Sequence, residues 1–194
     1  MALMICTIIW GTLACQNDQS VILDQANKVD LKKVAEVRKR TGDEQKNAYL
    51  SLNAYEQQYL WKQKIDKFSD TESLSTGQRE VFRALAAQLE ADLFSPNSSV
   101  ASRKLFGNKW TSELLKHFTL EQIRPVVAEL GSDPDATRSS ARGVSSKCNC
   151  NGDSIFACST CGEGGGCSET DRGCGFLFLY NCSGACGITP RTQG

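Results

Sequence analysis

Eight of the ten cysteines fall between Cys148 and Cys186, in the order C-x-C-x7-C-x2-C-x5-C-x6-C-x7-C-x3-C. That stretch has one long apolar run, Phe176-Leu177-Phe178-Leu179-Tyr180. A segment this small and polar cannot bury enough surface to fold alone, so it needs covalent staples or metal. Four disulfides would stabilise it by about 2–4 kcal/mol each, through the lost freedom of the unfolded chain. Eight cysteines allow 105 pairings, so spacing leaves the connectivity of Cys148, Cys150, Cys158, Cys161, Cys167, Cys174, Cys182 and Cys186 open. Cys148 and Cys150 are poor partners for each other, because so short a ring is strained. The apolar run is expected to form a strand, paired with residues around Ile155-Phe156 after a glycine-rich turn.

Metal is the competing staple. Cys158-x2-Cys161 and Cys182-x3-Cys186 have zinc-ligand spacing, and two four-thiolate sites would use all eight cysteines. A redox role for Cys158-Ser159-Thr160-Cys161 lacks a surrounding βαβ pattern. Compartment decides between these readings, and the start of the chain bears on it.

Met1 to Ala14 is apolar, and no charge occurs before Asp18. The run is shorter than the ~20 residues of a transmembrane helix and has the length of a signal-peptide core. Thr12-Leu13-Ala14-Cys15 resembles a bacterial lipobox, which makes Cys15 the expected lipid attachment point. Residues 1–15 are thus read as an export signal with a lipobox-like end. Export favours disulfides over zinc, and no cofactor or metal is expected. The expected location is the cell envelope, as a lipoprotein, or the medium.

The 22 basic and 22 acidic residues cancel, so no overall field points to nucleic acid or anionic lipid. After Cys148, Arg172 and Arg191 face Asp153, Glu163, Glu169 and Asp171. The cysteine segment is mildly acidic, against bulk attraction to anionic membranes. Glu163, Glu169 and Asp171 read as solubilising charge before they read as a cation site. The basic run from Lys32 to Arg40 contains Glu36 and reads as a solvated helix face.

Residues 16–130 are helical in pattern. Leu31, Val34 and Val37 mark one face of a first helix, and a second begins at Asp43. Ser51 is a candidate cap for a third helix carrying Trp61, Ile65 and Phe68. Ser75-Thr76-Gly77-Gln78 and Thr119-Leu120-Glu121-Gln122 fit capping boxes. The first opens a helix with Phe82, Leu85, Leu89 and Leu93 on one stripe. Leu105, Trp110, Leu114 and Phe118 suggest another helix, which Gly107-Asn108 could divide. Pro125 kinks the last helix or starts a new one, and Gly131 is a candidate C-terminal cap. These stripes predict a helical-bundle core.

Residues 131–147, GSDPDATRSSARGVSSK, lack large apolar side chains and read as a flexible linker. Arg138, Arg142 and Lys147 are its candidate processing sites. Residues 148–194 form the cysteine module. The expected fold class is an α-helical bundle domain followed by a small disulfide-rich, glycine-rich module with little β structure.

No catalytic constellation is present. His117 is the only histidine, placed near a predicted helix end where it suits the dipole. There is no nucleophile–base pair around it, no HExxH and no P-loop, so an enzyme is not expected.

The module resembles the bacteriocin fulvocin C-related family. The likeness lies in the opening Cys148-x-Cys150, the eight-cysteine order, Arg172-Gly173-Cys174-Gly175, the aromatic run ending at Tyr180 and the Cys182/Cys186 pair. Trp61-Lys62-Gln63-Lys64-Ile65 ahead of the Ser75–Gln78 box is similar to the helical part of longer members. The resemblance implies an exported antibacterial protein with a disulfide-stapled effector behind a helical region. Phe176, Phe178 and Tyr180 would then be an exposed contact strand for a target-cell envelope or an envelope receptor. The alternative is a surface lipoprotein, anchored in its own membrane, that binds a protein or glycan without killing. Neither reading involves nucleic acid, and neither fixes an oligomeric state.

Overall fold

The computed structural model describes residues 28–70, 73–131, 154–156 and 170–182. Among them are six α-helices and one two-stranded antiparallel sheet. The helices are α1 (Leu31–Lys39), α2 (Gly42–Leu50), α3 (Ala54–Ser69), α4 (Thr76–Ala87), α5 (Val100–Leu114) and α6 (Leu120–Val127). The strands are β1 (Thr170–Cys174) and β2 (Tyr180–Cys182). None of these helices is long and apolar enough to cross a membrane. The signal segment with Cys15, the linker beyond Gly131 and its Arg138, Arg142 and Lys147 lie outside the described residues. So do Cys148, Cys150, Cys158, Cys161, Cys167, Cys186, Glu163 and Glu169.

Short polar side chains set the helix starts. Ser75 accepts from the Gln78 N–H while the Gln78 side chain accepts from the Ser75 N–H; Thr119 and Gln122 do the same for α6. The start of α3 differs from the Ser51 expectation. Ser51 turns its hydroxyl back to the Ala48 carbonyl at 2.7 Å, and Asn53 caps α3 instead. Glu56 completes that box and also accepts from the Asp30 N–H at 3.2 Å, joining the starts of α1 and α3.

Helix ends are satisfied from neighbouring helices. Gln45 donates to the Val37 and Gly131 carbonyls, Gln57 to those of Tyr49 and Leu52, Gln58 to Leu89 and Gln78 to His117. Lys64 donates to the carbonyls of Pro125 and Glu129 at the end of α6. These donors meet carbonyls in the last turn of a helix or in the few residues after it, where intrahelical bonding runs out. Gly131 has a positive φ of 70° but lies beyond the helix end, whose cap position is Ala128. Pro125 sits inside α6, where it withholds one backbone N–H.

Helix α3 is central. It packs on α4, α6, α1 and the 3-10 turn Ala91–Phe94. Trp61 and Ile65 of α3 are fully buried with Phe82 and Leu85 of α4, Leu114 of α5, and Ile123 and Val127 of α6. Phe68, Phe82 and Phe118 form an aromatic cluster with centroids 5.0–6.4 Å apart. Two stripe residues differ from expectation: Leu31 is 59% exposed and Leu105 is 74% exposed, because the bundle covers neither position. Leu89 and Leu93 follow the end of α4 and still turn inward. Helix α5 runs through Gly107-Asn108 without a break.

The apolar run 176–180 is not a continuous strand. Strand β1 pairs with β2, with a register irregularity, and not with the Ile155 region. Phe176–Phe178 is a tight turn closed by the Leu179 N–H on the Phe176 carbonyl at 3.0 Å. Leu177 and Phe178 have φ of 49° and 59°, the positive values a type I′ hairpin turn demands at its two central residues. A strand would point alternate residues to opposite faces. The turn instead lets Phe176, Leu177, Leu179 and Tyr180 all reach the core.

Candidate functional site: a disulfide-closed hairpin docked on the helices

Cys174 ends β1 and Cys182 ends β2, and the two are joined as a disulfide with Cα atoms 5.3 Å apart. Sequence spacing left this pairing open. Closing so short a loop is worth about 2–3 kcal/mol in the chain-entropy account. Both cysteines are buried. The Lys46 ammonium of α2 lies 3.0 Å from Cys182 Sγ and 3.7 Å from Cys174 Sγ. Gly173 makes this approach possible: its φ is 106°, and a Cβ there would come within 2.7 Å of Lys46 Cε.

The hairpin tip enters the helical core. Phe178 stands edge-on to Tyr49 of α2 and Trp61 of α3, with centroids 5.4 and 5.5 Å away. Trp61 Nε1 donates to the Tyr49 hydroxyl at 2.9 Å. Burial pushes that hydroxyl's pKa far above its ordinary value, so Tyr49 stays neutral; the Trp61 bond and the Arg172 charge oppose the shift weakly. Phe176 lies near Phe106 of α5 and near Phe156, both at 6.5 Å. Tyr180 donates from its hydroxyl to Asn108 Oδ1 at 2.7 Å, and its ring covers Gly107.

Three arginines fasten the edges. Arg172 donates to the Phe94 carbonyl. Arg103 of α5 donates to the Asp171 carbonyl at 3.3 Å and to Asn181 Oδ1 at 3.4 Å. Arg124 of α6 donates to the Phe156 carbonyl at 3.0 Å, with its guanidinium over the Phe156 ring. Arg103 is buried, and its Nε has no partner among the described residues. Burial and the Arg172 charge lower its pKa, while Asp171 raises it. An arginine remains charged through such a shift.

The structure therefore places Phe176, Phe178 and Tyr180 differently from an exposed contact strand. Phe176 is 1% exposed, Tyr180 is 3% exposed and Phe178 is half-buried. The helical domain supplies the apolar surface that covers them. Sequence reasoning missed Tyr49, Gly107 and Arg103 as the groups that receive the hairpin. A mid-helix glycine was the one local signal available.

The described residues bring together no cluster of three or more His, Cys, Asp or Glu able to hold a metal ion. Asp171 is exposed, and its carbonyl accepts from Arg103. His117 lies in the exposed turn after α5 with its ring against Gly77. Glu36 pairs with Lys39 and Arg40 on the solvated face of α1. Compared with family models, curated proteins and solved structures, the chain matches none.

Proposed function

We propose that the chain is an exported, bacteriocin-like protein, with the cysteine segment as antibacterial effector and the helical domain as its carrier. The observation that carries this is the hairpin itself: a loop stapled by Cys174–Cys182 whose tip is Phe176, Leu177, Phe178 and Leu179. In the intact chain the helical domain covers this apolar, covalently closed tip, so contact with a target cell's envelope or an envelope receptor would follow its release from the helices. The eight-cysteine order adds the resemblance described above. In this reading residues 1–15 direct export, Cys15 carries lipid, and Cys148, Cys150, Cys158, Cys161, Cys167 and Cys186 complete the staples. Cleavage at Arg138, Arg142 or Lys147 separates effector from carrier. No catalytic step, metal or cofactor enters the proposal.

A second reading has its own support. The hairpin and the helices share one hydrophobic core, as an intact surface lipoprotein binding a protein or glycan would. Intact and non-reducing peptide masses of the protein from its native envelope and medium separate the two. A released C-terminal fragment eight hydrogens lighter than its reduced form, active against neighbouring bacterial strains, supports the effector. A single lipidated chain beginning at Cys15, cell-bound and inactive on a broad panel, overturns it in favour of the anchored binder.

A further inference from the structure

The hairpin tip is the most apolar part of the cysteine segment, and the helical domain already occupies it. We infer that the helical domain is a latency clamp: undocking of the 170–182 hairpin, and not linker cleavage alone, makes the tip accessible. This rests on the reading of the cysteine segment as effector.

Three observations carry it. Leu177 is 0% exposed, and Phe176, Leu179 and Tyr180 are nearly so, in one core with the helical domain and Phe156. Cleavage within 131–147 cuts the chain but removes none of these contacts.

The tip also holds a conformation it does not prefer. Leu177 and Phe178 are consecutive non-glycine residues with positive φ, at a cost of about 1–2 kcal/mol each. Such geometry persists where the surroundings impose it. Here Tyr49 and Trp61 grip the Phe178 ring, and the core encloses Leu177. Undocking removes the contacts with Tyr49, Trp61 and the core that help hold Leu177 and Phe178 in this conformation.

The polar part of the docking is incomplete. Arg103 Nε is buried without a partner among the described residues, and the Arg103 and Arg172 charges repel across the interface. Docking therefore leans on close fit of shape as well as on the Arg103, Arg172 and Tyr180 hydrogen bonds, and Gly107 is one such close approach. A Cβ at Gly107 would stand 2.6 Å from the Tyr180 hydroxyl oxygen and 2.8 Å from its Cε2.

Gly107→Ala in the full-length oxidised protein tests this. Alanine favours the helix interior by about 1 kcal/mol, so the helical domain keeps its far-UV circular dichroism. Amide exchange in residues 170–182 should rise at least tenfold. Killing of a sensitive strain by the protein nicked with trypsin in residues 131–147 should rise at least tenfold over the equally nicked wild type. Asn108→Ala, which removes the nearer Tyr180 acceptor and leaves the Lys104 carbonyl at 3.5 Å, should move both readouts in the same direction and less far.

Unchanged exchange in Gly107→Ala overturns the clamp. Faster exchange with nicked wild type killing as well as the nicked variant also overturns it, because undocking is then not required. Faster exchange with no killing by either form removes the effector reading and the clamp with it.

Discussion

Tyr180 of the hairpin rests on the bare backbone of α5 at Gly107, and its hydroxyl reaches the next residue, Asn108, at 2.7 Å. Glycine in a helix interior costs about 1 kcal/mol relative to alanine. Here that cost makes room for an aromatic ring that no other residue at 107 would leave. The helix continues through the position because an α-helix tolerates one glycine when its flanks are packed.

This contact predicts a change of sign. Gly107→Ala should destabilise the protein in its own background, because the new Cβ displaces Tyr180. In a Tyr180→Ala background the same change should stabilise by about 1 kcal/mol, the helix gain alone. A double-mutant cycle by urea denaturation should give a coupling of about 1–3 kcal/mol. Additive effects would mean that the ring does not sit on α5.

Phe178 combines packing with backbone strain. Phe178→Ala should cost about 2–4 kcal/mol, below the full-burial range because the ring is half-buried. Phe178→Gly should cost less than Phe178→Ala, although it removes more, because glycine accepts the positive φ without strain. Denaturation midpoints of the two variants check the order, and loss of near-UV circular dichroism should accompany both.

The Cys174–Cys182 disulfide should contribute about 2–3 kcal/mol. The Cys174→Ala/Cys182→Ala double variant should lose that amount, read as faster amide exchange in β1 and β2. In the reduced protein the Lys46 ammonium, closer to Cys182 than to Cys174, favours the Cys182 thiolate. A short alkylation pulse should label Cys182 first, and Lys46→Gln should remove the preference.

Lys64 has its pKa lowered from 10.5 to about 8, chiefly by burial, with Glu129 opposing. The unfolded chain then binds the Lys64 proton more tightly than the folded one between pH 8 and 10.5. Stability rises with pH wherever the unfolded state binds more protons, so this lysine should raise stability across that window, by up to about 1.4 kcal/mol per pH unit. Tyr49 acts in the opposite sense above pH 10, since unfolded tyrosine ionises while the buried hydroxyl does not. Comparing wild type with Lys64→Met from pH 7.5 to 9.5 isolates the lysine; parallel stability curves would refute its depressed pKa.

Much of the helical domain was legible in the residues. The Ser75–Gln78 and Thr119–Gln122 boxes formed because capping is local: the serine or threonine and its partner amide lie within one turn. The stripes through Trp61–Ile65 and Phe82–Leu85 became core because helical spacing puts such residues on one face. Leu31 and Leu105 fit the same spacing yet face solvent, since periodicity does not say which stripe meets a neighbour. Asn53, and not Ser51, caps α3 because both residue types suit the role and the meeting with Glu56 decided between them.

The candidate site was less legible. The apolar run beside the cysteines suggested a strand exposed for contact. Its spacing could not show a turn at Leu177–Phe178, because positive φ at such residues is an exception that the assembled turn and its packing sustain. Nor could the cysteine order single out Cys174–Cys182, which depends on two strands pairing.

What the sequence alone determined is local: most helix starts, most helical core residues, and a cysteine segment with one long apolar run. The tertiary structure decided where that run goes. Tyr49 and Trp61 come from α2 and α3, Gly107 and Arg103 from α5, and the hairpin follows far along the chain. No short-range pattern couples residues so distant in sequence. Shape complementarity and the burial of Phe176, Leu177, Phe178 and Tyr180 do so only once the helices have assembled.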